Sequence, residues 1–471
     1  MENYPLTPAS HAGTTAIEDV SVVDTRIGRI VDHQTVIVAG RRIVYAGPAD
    51  GAKAPPTARR ISGRGKYLMP GLWDMHAHTL ALSPQLHFPL LVANGVTSIR
   101  DMGDGCSWSD DLDCVPKAPQ WKAGFAQGNL LAPRLVATAS YHVETLGDPD
   151  DVAQDHRAES KRLVGALKTR GDEFIKLQLD PQITPAVFHA LSAAASEQGM
   201  TVAGHLPYSI DLLDPALAGL GSIEHDSGLL PQCASARASF DGRDRSKLAL
   251  LASLDQQRCT ALLAALAARG TGYVPTHVAS IGQDYFLLDE HYRNNPRLKY
   301  VVSMQRWMWQ AYGALSVAGT EAADRSALEA YYRASLALTR QAKTAGVPVM
   351  AGSDALDAYV VHGFGLHDEL EQLVLAGLSP AEALRSATWT PAVHAGLSDQ
   401  LGSVQSGQLA DLVLVAHNPL LDIRHARDIE VVVLDGRVHQ RSDLDGMLRY
   451  VQRQASSATA CKFFWGMIGP A

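Results

Sequence analysis

Residues 67–78 read YLMPGLWDMHAH. A short apolar run ends there in Asp74, His76 and His78. The two histidines stand at i and i+2, and on a strand that spacing points both imidazoles to one face. An HxH pair alone is weak, because chance pairs outnumber metal sites. What decides the fold is that the run recurs. Seven more follow: VTSIRDMG (96–103), RLVATAS (134–140), EFIKLQL (173–179), MTVAGHL (200–206), GSIEHDS (221–227), GYVPTHV (272–278) and VPVMAGSDA (347–355).

Ala/Leu-rich amphipathic stretches alternate with these runs, among them PQLHFPLLVANG, PAVFHALSAAASEQG and CTALLAALAARG, each closing on Gly as helix C-termini often do. SPAEALRSAT reads as a capping box, with Ser379 at the N-cap, Pro380 at the first helical position and Glu382 reaching back. Eight such β-α units predict an α/β fold, a (β/α)8 TIM barrel. A doubly wound open sheet is the alternative. In a barrel, the chemistry sits at the C-terminal ends of the strands. The first run ends in His76 and His78, the fifth in His205, the sixth in His225 and the eighth in Asp354, while the fourth carries Lys176 inside FIKLQL. Neutral imidazoles and a carboxylate suit Zn²⁺, Mn²⁺, Fe²⁺ or Co²⁺. A lysine among apolar neighbours bears a desolvation cost as a cation, so it loses its proton, pairs or snorkels. As a neutral amine it can also take up CO₂ to become an anionic, bidentate carbamate.

The chain has 471 residues, 46% apolar and 19% charged, which suits an ordinary globular protein of two or three domains, or one barrel with a small partner. Forty-one Lys+Arg against 49 Asp+Glu leave a net charge of −8, a poor match to nucleic acid. No stretch reaches the roughly 18–20 apolar residues that span a bilayer. MENYPLTPASHAGTTA has neither a basic n-region nor an apolar h-region, so no signal peptide is expected in it. Of five cysteines, Cys106 and Cys114 flank a polar loop suited to a disulfide, Cys233–Cys259 is a second candidate, and Cys461 is left over.

Taken together, PGLWDMHAH, GVTSIRDMG, FIKLQ, GHLP, IEHDSG, AGSDA, AGLSPAEALRSATWTPAVHAGL and GSVQSGQLADLVLVAHNPLLDI resemble the amidohydrolase superfamily over nearly the whole chain. The nearest resemblance is to its binuclear prolidase-like and imidazolonepropionase-like members. It implies two divalent ions, Zn²⁺ first, with His76, His78 and Asp354 on one, His205 and His225 on the other, and N6-carboxylated Lys176 bridging. It implies that the β-rich ends, 15–67 and 399–442, form one β-sandwich domain beside a barrel of 68–398, with a helical insertion at about 283–328 and a tail at 443–471. It implies hydrolysis of an amide bond, of N-acyl amino acids or dipeptides, by a hydroxide shared between the ions, with Asp354 as proton shuttle. His142, His277 and Tyr208 are candidates for substrate or oxyanion contacts. An esterase or lactonase, or a cyclic-amide hydrolase or deaminase, are the alternatives. Lys176 counts against a mononuclear deaminase. The chain departs from the resemblance at Ala139-Ser140-Tyr141-His142, where glycines are common, and at Pro275-Thr276-His277. The cysteine pairs resemble those of exported bacterial members, so a periplasmic or secreted protein is expected, with the cytoplasm as alternative. The expected partner is a small-molecule substrate, with no nucleic acid and no membrane, and the expected assembly is a homo-oligomer.

Overall fold

A computed structural model describes residues 1–6, 13–103, 106, 114–143, 156–178, 183–214, 217, 219–237, 240, 244–281, 294–318 and 322–468. The interior of the Cys106–Cys114 loop, Leu179 and residues 283–293 of the expected insertion lie outside them.

The two chain ends meet in one sheet. From the N-terminal end come β1 (Thr14–Asp24), β2 (Arg29–Ala39), β3 (Arg42–Pro48), β4 (Arg59–Ser62) and β5 (Tyr67–Pro70). The central strands are β6 (Leu72–Ala77), β7 (Val96–Asp101), β8 (Arg134–Thr138), β9 (His142–Val143), β10 (Phe174–Leu177), β11 (Thr201–Gly204), β12 (Leu220–Glu224) and β13 (Gly272–Val274). Then come β14 (Leu412–Val415), β15 (Ile429–Leu434) and β16 (Arg437–Gln440). β14 runs antiparallel to β5, from Leu412 opposite Pro70 to Val415 opposite Tyr67, which joins both ends into an eight-stranded sheet. Ile17, Val36, Leu68, Leu412 and Val433 are buried in a core of this sheet's own. Strand pairing alone gathers both chain ends into this one hydrogen-bonded sheet.

The central strands are parallel and nearly continuous in apolar character, as strands covered on both faces must be. They form two sheets, β6-β7-β8 and β13-β12-β11-β10-β9. The eighth run lies between them without becoming a regular strand. Met75 N–H donates to Ala351 O (2.9 Å) and Asp354 N–H to His76 O (2.7 Å) on one side; Met350 N–H donates to Tyr273 O (2.9 Å) on the other. Across the opposite gap, Glu173 N–H donates to Thr138 O (2.9 Å). Within the eighth run, Ser353 N–H donates to Asp74 Oδ1 (2.9 Å) instead of to a strand carbonyl, beside Gly352, where a Cβ would lie 2.8 Å from His76 N. Asp354 then turns left-handed, at φ +56°. No single closed sheet is formed among the described residues.

The helices start where capping chemistry allows. Asp255 accepts from Gln257 N and Arg258 N at the start of Gln256–Arg269, which ends on Gly270 at φ +68°. The capping box of Ser379 and Glu382 is formed at Pro380–Ser386. Within the span of the expected insertion lie the helices Ser303–Ala318 and Ala322–Thr344, the second running unbroken past residue 328. Trp309 is buried against Tyr359 (centroids 5.4 Å), whereas Trp307 is exposed. The tail is two helices, Arg441–Ala455 and Ala458–Ile468. Ala455, Ala460 and Phe464 pack on Leu80 and Leu86, just beyond the end of β6. No helix among the described residues is long and apolar enough to cross a membrane. Both expected disulfides are present, Cys106–Cys114 (Cα–Cα 5.7 Å) and Cys233–Cys259 (4.5 Å), and Cys461 is free.

Candidate metal centre

β6 aims His76 and His78 inward, and the turn after the eighth run brings Asp354 onto them. Asp354 Oδ1 lies 3.3 Å from His76 Nε2 and 3.1 Å from His78 Nε2. One donor atom from each of these three residues lies within 4.8 Å of the other two. His76 Nδ1 is 2.8 Å from Glu224 Oε2, so that nitrogen carries the proton and Nε2 keeps its lone pair. Burial holds His76 well below the usual imidazole range, so the ring is neutral. A lone pair and a carboxylate oxygen thus face each other in a buried space, which a cation resolves.

The other expected ligands cluster beside this group. The His225 ring lies 4.6 Å from that of His76, and the His205 ring 4.3 Å from that of His225. His225 sits at φ +65° and its Nδ1 is 2.7 Å from Thr276 Oγ1, with Thr276 itself at φ +46°. With Asp354, three non-glycine residues in the left-handed region gather at the ends of neighbouring strands. Such strain persists where the surroundings over-determine it, as at functional sites. His76 Nε2, His78 Nδ1, His205 Nε2 and Lys176 Nζ are buried without a hydrogen-bond partner. Buried polar atoms are seldom left so. The donor set therefore fits divalent metal binding. Burial draws the Lys176 ammonium down to about 8, despite the opposing pull of Glu224 and Asp354. Gly204 makes room for this lysine: at φ +124°, its Cβ would lie 2.3 Å from Leu177 O and 3.0 Å from Lys176 Cδ.

The remaining candidates are placed less simply. The His142 ring meets that of His78 edge-on at 5.8 Å, and its Nε2–H donates to Met102 O (2.9 Å). Burial, with His78 and Lys176 nearby, takes His142 down to about 3. With Nε2–H directed to Met102 O, the neutral ring offers a lone pair at Nδ1. His277 is fully buried, and its Nε2–H donates to Thr339 Oγ1 (2.9 Å), which in turn donates to Ser335 O (3.1 Å). It faces the helix Ala322–Thr344 and meets Tyr332 edge-on at 6.2 Å. Tyr208 packs on Phe240 (5.1 Å), which stacks on Tyr331 (6.2 Å).

Sequence reasoning missed Glu224, Arg100 and Thr276. Glu224 was hidden by its neighbour, since strict alternation sends Glu224 and His225 to opposite faces. The left-handed turn at His225 lets both reach the site. A cavity of about 860 Å³ opens at the other end of the parallel strands, beside Phe174, Thr201 and Leu220. None of the six expected ligands lines it, so its size does not make it the site of the chemistry.

The fold is shared with solved structures. Bottromycin amidohydrolase superposes with a TM-score of 0.71 at 22% identity, covering 95% of this chain and 91% of that one. A Xaa-Pro dipeptidase with bound methionine in the active site gives 0.63 at 20% identity, covering 91% and 100%. At these identities the likeness speaks for the fold alone. Among curated relatives, a 5-methylthioadenosine/S-adenosylhomocysteine deaminase of Symbiobacterium thermophilum is 45% identical over 49 residues, 10% of this chain and 11% of that one. An adenine deaminase of Rubrobacter xylanophilus is 35% identical over 65 residues, 14% and 11%. The chain thus spans about a tenth of the length of these two relatives. The sequence profile of the amidohydrolase family, in contrast, matches residues 67–439, from β5 to β16 and across every expected ligand, and this chain belongs to that family.

Proposed function

We propose that this protein is a metal-dependent hydrolase that cleaves the amide bond of N-acyl amino acids or dipeptides. The observation that carries the reading is Asp354 Oδ1, held 3.3 and 3.1 Å from the Nε2 atoms of His76 and His78. We assign His76, His78 and Asp354 to one ion, His205 and His225 to a second, and Lys176 to both as its carbamate. Zn²⁺ is the first choice for an imidazole–carboxylate set. When bound, the ions would supply a nucleophile from water at neutral pH and polarise the scissile carbonyl.

The chain's own residues do the rest. Burial raises the Asp354 carboxyl, but the hydrogen bond with His78 and the charges around it outweigh this and hold it at about 2. It is thus an ionised acceptor, placed to take a proton at a carboxylate oxygen and return it to the leaving nitrogen. Lys176 Nζ, partly unprotonated at neutral pH, adds to the carbon of CO₂ and releases a proton. We assign His142 Nδ1 as an acceptor for a substrate N–H, Tyr208 to the substrate wall, and His277 to the packing behind it. For the fold, we propose that β6, β7, β8, β10, β11, β12, β13 and the eighth run are the eight staves of a (β/α)8 barrel over 68–398. The end sheet, 15–67 with 399–442, is its β-sandwich domain. Two disulfides support a periplasmic or secreted location.

A deaminase is the second reading, favoured by the two short curated matches. Lys176 separates the two, since a single-ion deaminase needs no bridge. Elemental analysis of protein purified without chelator, with a mass-spectrometric screen, tests the choice. We expect two ions per chain and turnover of N-acyl amino acids or dipeptides. A stable single ion with full activity, or turnover confined to purine nucleosides, overturns the reading. Turnover of lactones alone would make it an esterase.

A further inference from the structure

We propose that Glu224 and Arg100 are positioning residues that fix the tautomer of His76, an inference that rests on the metal reading above. Glu224 is fully buried, and its two carboxylate oxygens are divided. Oε2 accepts from His76 Nδ1 (2.8 Å). Oε1 accepts from Arg100 Nη2 (2.7 Å) and from the hydroxyl of Ser222. Arg100 is anchored in turn. Its Nε donates to Met75 O (2.7 Å), its Nη1 to Ser222 Oγ (2.7 Å), and its guanidinium lies 5.7 Å from the Phe174 ring.

A buried carboxylate without a cation is costly, and Arg100 offsets that cost. With its charge balanced, Glu224 remains an acceptor and keeps the proton on His76 Nδ1. The Nε2 lone pair then points at Asp354 Oδ1. A carboxylate behind a ligating imidazole sets its orientation and raises its basicity, and such partners are worth roughly 10–100-fold in metal affinity. The same ion pair also ties β7 to β12, one strand from each parallel sheet. A purely structural role is therefore the competing account, and the test must separate the two.

Glu224→Gln makes the separation. Arg100 has only donors, so it claims the amide oxygen. The amide N–H then faces His76 Nδ1 and drives the proton to Nε2, where it blocks a metal. Removing the arginine as well, in Arg100→Met/Glu224→Gln, frees the amide to rotate and accept from Nδ1 again. Two readouts are used: ¹⁵N side-chain NMR of metal-free protein, with His76 assigned through His76→Gln, and Zn²⁺ affinity by chelator competition. In the native sequence His76 should carry its proton on Nδ1. In Glu224→Gln it should move to Nε2, and one of the two Zn²⁺ affinities should fall roughly 10–100-fold. The double variant should restore the native tautomer and part of the affinity. A purely structural role predicts a lower melting temperature with tautomer and affinity unchanged in the folded protein, and that result overturns the proposal. A native His76 protonated on Nε2 overturns it without any variant. Failure of the metal reading would look different: no Zn²⁺ bound by the native protein, with the Nδ1–H tautomer still in place.

Discussion

Asp354 serves two ends with one carboxylate. It lies beside the Nε2 atoms of His76 and His78, and it must stay ionised to accept a proton from elsewhere. Asp354→Asn keeps the shape and removes the acceptor. We expect kcat to fall by about 10²–10⁴-fold, the usual worth of acid–base help. Metal content, measured on the same sample, should fall far less, because four histidines and Lys176 remain. A variant that loses both ions and its activity together would make Asp354 a ligand and nothing more. Lys176→Ala should lose the bridge and nearly all activity. Short-chain carboxylic acids should restore part of it by filling the carbamate's place; the check is kcat against added acetate or propionate. The grouped His76, His78 and Asp354 stand out in the sequence because each ends an apolar run, where a polar residue has no packing reason to be. The roles of His142 and His277 do not. A sequence names an imidazole but not which nitrogen holds the proton, and here Met102 O and Thr339 Oγ1 decide that.

Elements with local causes were readable, and elements with distant causes were not. The capping box needs only Ser379 and Glu382, three residues apart, and it is formed. The eighth run reads as a strand, yet Ser353 N–H leaves the ladder for Asp74 Oδ1, 279 positions away in sequence. The helix Ala322–Thr344 crosses the boundary at about 328 that the resemblance implied, because one unbroken helix joins the insertion to the segment after it. Two outcomes belong to this scale. Ser379→Ala should cost about 1 kcal/mol, the usual worth of an N-cap, read from denaturant midpoints. The Cys233–Cys259 bridge ties the helix Gln256–Arg269 to the segment just after β12, closing 26 residues. By loop-closure entropy it should contribute roughly 3–4 kcal/mol. Thiol titration under denaturing, non-reducing conditions should find one reactive group, Cys461; three would mean that one bridge is missing.

At the scale of the whole molecule, buried neutral histidines set the response to acid. Burial takes His277, His362, His367, His394 and His439 down to about 4. Their unfolded counterparts titrate near 6.5. Between those values the unfolded chain binds more protons, so stability is full above about pH 6.5 and is lost as pH falls toward 4. Three buried acids oppose this. Burial raises Asp74 to about 6, Glu369 well above its usual range and Asp411 above its own, so the folded chain binds their protons first. Five histidines against three acids leave the histidines in control, with a slope on the order of a few kcal/mol per pH unit. Metal-free protein is the right sample, since acid would also strip bound ions. Its urea midpoint should hold between pH 8 and 7 and fall steadily from 6.5 to 5. His367 supplies the control. It lies on the helix Phe364–Leu375, and its Nε2–H donates to Asn94 O (2.9 Å). His367→Gln keeps a donor there and removes a titrating group, so the slope should flatten by about one proton, roughly 1.4 kcal/mol per pH unit. A midpoint that stays level from pH 7 to 5 would mean that these rings are charged, or solvated, in the folded protein.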